Sequence, residues 1–251
     1  MRSFLLLAML LSVAACKGGP QQALQVQASP CEVRQFEGNN FTICSLRSGR
    51  VEVRTADAAG RPYRSFAALQ TALGPRAERV AFAMNAGMFD EEGRAIGLLI
   101  EGGKQQHPIN LRKGGGNFHL LPNGVFLVRK DGSAAIVASQ AFQPANDIAF
   151  ATQSGPMLVI DGKLHPKFDA DGTSRYVRNG VGVGPDGTAM FVISNDMVSF
   201  GKFARLFRDE LKTGNALYFD GSVSSLWDPT SGRMDSFVPI GPMVVVFKAG
   251  E

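Results

Sequence analysis

Four dipeptides, Asn123-Gly124, Asp131-Gly132, Asp161-Gly162 and Asp186-Gly187, punctuate the chain between short apolar runs. Asn-Gly and Asp-Gly reach positive φ at little steric cost, so they close tight hairpins. The runs between them read as strands: VFLV, AAIVA, MLVI, AMFVI, ALYF and MVVVF are β-branched or aromatic. MVVVF and AMFVIS are continuous rather than alternating, which predicts burial on both faces. Helical patterns are few. Ser65 caps FAALQTAL, which stops at Gly74 and Pro75, and Lys202 to Lys212 puts Phe203, Leu206, Phe207 and Leu211 on one face. With no repeat period and no break in composition after residue 30, the expectation is one α+β domain over 30–251. It is built on a mixed, mostly antiparallel β-sheet with a few flanking helices.

The N-terminus follows another logic. Arg2 precedes FLLLAMLLSVAA, an apolar run too short to span a bilayer, and Ser12-Val13-Ala14-Ala15 leads into Cys16. That order predicts a lipoprotein signal peptide over 1–15, with Cys16 lipidated and first in the mature chain; a cleaved secretory signal with an incidental cysteine is the alternative. Lys17 after the cysteine favours the outer membrane, facing the periplasm of a bacterial cell envelope. Residues 16–29 then read as a flexible tether. In such an exported chain Cys31 and Cys44 form an even pair, and a disulfide between them would staple an N-terminal hairpin.

Charge and metal chemistry exclude several classes. The formal net charge is +4, falling to +3 without Arg2, too small and scattered for a nucleic-acid partner. His107, His119 and His165 share no metal spacing, so no metal site is expected and no cofactor is implied. Asp220 and neighbouring oxygens would suit a hard divalent cation, but nothing in the spacing demands one. Nothing in the chain calls for more than a monomer.

Four stretches break the hairpin pattern: AFAMNAGMFD (81–90), ATQSGPMLVIDG (151–162), RYVRNGVGVGPDG (175–187) and YFDGSVSSLW (218–227). In each, polar side chains stand at a strand end beside glycine, where backbone can approach a ligand and expose N–H donors. Taken in order, NAGMF, SGPMLVIDG, RNGVGVGPDG and FDGSVSSLW, with the ending VPIGPMVVVF, resemble the phosphodiester glycosidase family over about residues 50–247. Two departures mark a divergent branch: Ser222 stands where the family usually has a second glycine, and NAGMF carries an extra small residue.

The resemblance implies hydrolysis of a sugar from a glycosyl-1-phosphodiester at the anomeric carbon, on an envelope or extracellular polysaccharide. A departing phosphate monoester is already a stable anion with a second pKa about 6, so it needs little protonation. The site must hold negative charge and stabilise an oxocarbenium-like transition state. Arg178, with its planar fork, suits the first task and Asp220 the second, as nucleophile, base or electrostatic partner. Asn85, Gln153, Ser154, Asn179, Ser224 and Ser225 are candidate substrate contacts, with backbone N–H groups near Gly87 and Gly221. Each has a plainer reading as a turn, cap or loop-satisfying residue. Trp227 is either a sugar-stacking face or core. The Lys113-Gly114-Gly115-Gly116-Asn117 loop lacks Walker spacing and is expected at the border of the site. Asp90, Glu91 and Asp186 are unranked candidates for a second carboxylate. Two rival readings remain: a non-catalytic binder of anionic glycans, and a structural envelope lipoprotein whose four stretches lie apart.

Overall fold

A computed structural model describes residues 29–45, 47 and 49–249. The expected signal peptide over 1–15, Cys16 and the expected tether up to residue 28 lie outside the described residues. All strand pairings within the described residues are antiparallel and form three sheets, which corrects the expected single mixed sheet.

The first sheet has the order β1 (Cys31–Phe36), β2 (Asn39–Ser45), β13 (Ala189–Ser194), β12 (Asn179–Val183), β14 (Asn215–Tyr218), β10 (Met157–Ile160), β11 (Lys163–Leu164). The second runs β16 (Arg233–Met234), β15 (Leu226–Asp228), β4 (Val80–Asn85), β17 (Met243–Phe247), β3 (Arg50–Arg54). The third runs β6 (Lys104–His107), β5 (Leu99–Glu101), β9 (Ile148–Ser154), β7 (Gly124–Arg129), β8 (Ala134–Ala138). As MVVVF predicts, β17 is central and wholly buried between β4 and β3. Cys31 and Cys44 face each other across β1 and β2 and form the expected disulfide.

Three of the four turn dipeptides close hairpins: Asp131-Gly132 joins β7 to β8, Asp161-Gly162 joins β10 to β11, and Asp186-Gly187 joins β12 to β13. Asn123-Gly124 does not. Gly124 begins β7, and the Asn123 side chain donates to Phe118 O instead of shaping a turn. The helix α1 (Phe66–Leu73) starts where Ser65 Oγ accepts the Ala68 amide at 3.1 Å. The second helix, α2 (Phe200–Arg205), begins earlier than its apolar face suggests, because Ser199 Oγ caps it through Lys202 N. It then widens into a π turn, Leu206–Glu210.

The sheets meet in one aromatic core. Phe191 of β13 packs edge-on against Phe82 of β4 (5.5 Å between centroids) and Phe126 of β7 (5.6 Å), one ring from each sheet. Phe219, just beyond β14, joins Phe126 at 6.4 Å. All four are almost fully buried. This core fixes where the last residues of β4 and β14 emerge, and those ends build the site.

Candidate functional site

Asn85 ends β4 and is buried. Its Nδ2 donates to the carbonyl of Asp220 at 2.7 Å. Its Oδ1 accepts from Asn179 Nδ2 at 2.9 Å and from the Ser225 amide at 2.8 Å. One side chain therefore ties the end of β4 to the start of β12 and to both flanks of the 220–225 loop. The backbone repeats the tie: the Asp220 amide donates to Ala86 O at 2.9 Å, and the Phe219 amide donates to Asn179 O at 3.1 Å. Asn179 returns Nδ2 to Asn85 O at 2.8 Å and accepts Ser224 Oγ at 3.2 Å, while Ser225 Oγ donates to Val223 O. Asn85, Asn179, Ser224 and Ser225 thus converge as expected, but their polar atoms brace the loop.

Asp220 heads a 3-10 turn, Gly221–Val223, and its Oδ1 accepts from both the hydroxyl and the amide of Ser222. Its Oδ2 takes no hydrogen bond among the described residues. Burial pushes the Asp220 pKa above the ordinary value, and the Ser222 bonds only partly oppose that. The serine in place of the usual glycine is what supplies this hydroxyl.

Arg178 lies nearby and is 1 % exposed. Nε donates to Val198 O at 2.9 Å, Nη2 to Ser174 O at 3.0 Å and Nη1 to the Tyr218 hydroxyl at 3.2 Å. The Phe200 ring covers the guanidinium at 3.6 Å. Among the described residues no carboxylate pairs with it, and burial lowers its pKa, with Tyr218 opposing the shift. The expectation of an open fork is therefore corrected: carbonyls and a phenol hold three of the five N–H groups. The Tyr218 hydroxyl also lies close against Gly221, and burial raises its pKa. Arg178, Tyr218, Gly221 and Asp220 form one continuous chain of contact. A Cβ on Gly221 would overlap the Tyr218 hydroxyl, so that approach needs glycine.

Gln153 departs from its expected role. Its Oε1 accepts the Leu98 and Asn110 amides (2.9 Å each), and its Nε2 donates to Asn110 O (2.8 Å) and Ser139 Oγ (3.0 Å). Both lone pairs and both hydrogens are used, leaving nothing for a substrate. Ser154 is the reverse case: its hydroxyl is buried without a partner, as is that of Thr152, two residues earlier on the same face of β9. Gly87 rests on this strand, where a Cβ would stand 2.6 Å from Gln153 O.

Trp227 is core, buried with Phe66. Asp90 binds Arg94 at 2.9 Å and Asp186 binds Arg47 at 2.8 Å, so both are already paired; Glu91 is exposed. The ring nitrogens of His107, His119 and His165 bond backbone carbonyls. Among the described residues no three His, Cys, Asp or Glu side chains group to hold a metal. The glycine loop 113–117 is exposed and leads to a turn whose Asn117 and Phe118 carbonyls pack on Gly155, beside Ser154. A groove of about 570 Å³ opens beside the 220–225 loop, lined by Tyr176, Gly221, Ser222, Ser224, Arg233 and Phe237. Tyr218, Tyr176 and Phe200 escaped sequence reasoning. The alternation of ALYF toward Asp220 is the signal that identifies Tyr218, and Thr152 follows from its spacing to Ser154.

The fold of this chain is similar to that of a solved glycosidase catalytic domain. The catalytic domain of zebrafish N-acetylglucosamine-1-phosphodiester alpha-N-acetylglucosaminidase superposes with TM-score 0.60 at 16% identity, over 87% of this chain and 82% of that one. A hypothetical protein from Synechocystis superposes with TM-score 0.55 at 14% identity, over 87% of this chain and 61% of its own. The chain belongs to the phosphodiester glycosidase family, whose model matches residues 78–246. It is also 36% identical to protein YigE of Escherichia coli (strain K12) over 178 residues, 71% of this chain and 69% of that protein.

Proposed function

We propose that the protein hydrolyses a glycosyl phosphodiester, releasing the sugar from its phosphate at the 220–225 loop. The observation that carries this reading is the pairing of a partly buried carboxylate with one free oxygen and a buried guanidinium that has no carboxylate of its own. The two are joined through Tyr218.

The chemistry divides between them. In the net reaction the C1–O bond to the phosphate breaks, the phosphate monoester leaves with the bonding electrons, and water oxygen ends on C1, its proton taken by Asp220 and passed on to solvent. Asp220 Oδ2 faces the developing positive charge at the anomeric carbon, and a raised pKa brings its proton affinity closer to that of a working base. Arg178 acts through Tyr218 and its own field: a buried positive charge favours the anion that departs. Because the leaving group is stable as an anion, one carboxylate suffices for much of the work. The groove beside the loop accommodates the substrate, with Tyr176 and Phe237 as ring faces for sugar. The substrate is a sugar-1-phosphate diester of envelope or extracellular origin, which agrees with a chain exported by the signal at 1–15 and held by a lipid on Cys16. Metabolic labelling with a fatty acid that vanishes in Cys16→Ser checks the anchor.

The test is sugar release from a synthetic sugar-1-phosphate diester by the purified protein. Release that falls by about 10³-fold or more in Asp220→Asn supports the assignment. No release by the wild type, or undiminished release by the variant, overturns it. The stereochemistry of the first-formed sugar distinguishes nucleophile from base: retention marks a covalent Asp220 intermediate, inversion a water activated by it.

A further inference from the structure

A second cavity, of about 640 Å³, opens at the opposite end of β4, between the edge of the second sheet and the β7–β9 face of the third. Its walls carry Arg50, Arg76, Arg129, Lys130 and Lys248 against a single carboxylate among the described lining residues, Asp131. The nearby acids do not neutralise this. Glu52 is fully buried and already shared by Arg50 (2.7 Å), Arg76 (2.9 Å) and Arg54. One carboxylate thus serves three guanidiniums, of which Arg54 also lies beside Glu101. Arg129 is matched by Asp147 at 2.6 Å, and Asp131 accepts both the amide and the hydroxyl of Ser133. Lys130 and Lys248 make no ion pair among the described residues. The excess is concentrated here on a chain whose whole formal charge is only +4.

The geometry holds these cations in place for a ligand. Arg76 is locked over the Phe247 ring at 4.7 Å as well as by Glu52, which fixes one guanidinium edge at the wall. Val128, Phe150 and Phe247 supply an apolar floor beneath the charged rim. Gly102 and Gly132 line the mouth with φ of 57° and 87°, and open space lies where their side chains would be. A concave wall of one sign with a low-dielectric floor focuses its field inward and draws in anions. A planar guanidinium flanked by flexible ammoniums suits the oxygens of phosphate better than one carboxylate.

We infer that this cavity is a second ligand site, separate from the Asp220 loop, that binds a phosphate group carried on an apolar or sugar body. The phosphate reaches it from one of two sources, a soluble phosphorylated glycan or a lipid headgroup. The inference does not depend on the proposed hydrolysis.

Titration calorimetry of the purified protein with inorganic pyrophosphate tests it. Expected is saturable one-to-one binding, weakened at least about tenfold in Lys130→Glu/Lys248→Glu and unchanged in Asp220→Asn. Lys130 is exposed and Lys248 half-buried, and neither makes an ion pair among the described residues, so the double variant should keep the wild-type melting temperature. A more conservative Lys130→Gln/Lys248→Gln pair should give an intermediate loss. No binding by the wild type overturns the inference, as does binding that survives the lysine variants or disappears in Arg178→Ala. Co-sedimentation with phosphatidylglycerol-containing vesicles, against phosphatidylcholine alone, separates the sources. Lysine-dependent capture by the anionic vesicles assigns a lipid headgroup, and pyrophosphate binding without capture assigns a soluble phosphate.

Discussion

Burial disfavours the ionised form of Asp220 in the folded protein. The sign follows from linkage. Its folded pKa lies above the ordinary 3.8, so below that value both states are protonated and the residue is neutral to stability. As pH rises from the unfolded value through the folded one, the unfolded chain ionises first and the fold is penalised, the loss being complete above the folded value. Asp220→Asn is therefore expected to melt at the same temperature as the wild type or higher near pH 7, while sugar release is lost. For the same reason the acid limb of the activity profile should lie above the range of an exposed aspartate. Asn85 shows the opposite balance. Asn85→Ala removes the partner of the Ser225 amide and of the Asp220 carbonyl in a buried setting, leaving Asn179 only its bond to the Asn85 carbonyl, and chemical denaturation should show a loss of about 2–4 kcal/mol. At this scale the sequence named the residues better than their tasks. Polar types beside glycine reveal that a strand end is special. Whether a side chain faces ligand or neighbour is decided by partners far along the chain, as Gln153, Asn179 and Ser225 show.

The elements were legible wherever the signal is local. Ser65 and Gly74 bound α1 because capping chemistry lies within a few residues. Asp131-Gly132, Asp161-Gly162 and Asp186-Gly187 work because a tight turn is a property of two residues. Asn123-Gly124 misled because Pro122 and the Phe118 carbonyl, rather than φ preference alone, set that corner. The start of α2 was missed because its cap, Ser199, precedes the apolar face. The 3-10 turn after β14 holds the prediction proper to this scale. Gly221→Ala adds a methyl where the Tyr218 hydroxyl sits, so the turn or the ring must move. Kinetic assay should show kcat falling by about tenfold or more, in line with sub-ångström demands on a preorganised site. Tyr218→Phe should lower activity without that clash, and together they separate loop position from loss of the phenol.

For the molecule as a whole, strand composition declared a β-rich fold, but the partition into three antiparallel sheets was beyond reach. Sheet membership depends on pairings such as β2 with β13 and β3 with β17, which join opposite ends of the chain. Phe191 is where those sheets meet, touching rings from the other two. Phe191→Ala is expected to cost about 3–5 kcal/mol in denaturant unfolding, a transfer and cavity penalty at a site that cannot collapse from three directions at once. Removing the Cys31–Cys44 link, which closes a separation of 13 residues at a sheet edge, should cost nearer 2–3 kcal/mol and spare catalysis.

The Asn85 clasp has a practical corollary. Its partners stand 94, 135 and 140 positions away along the chain, so the loop that bears Asp220, though its own serines brace it, depends on a clasp supplied from distant strands. Grafting YFDGSVSSLW onto a foreign barrel would transplant the acid and its serines yet leave behind their anchorage. Any minimised version of this protein must keep the far strands or forfeit the shape of the loop.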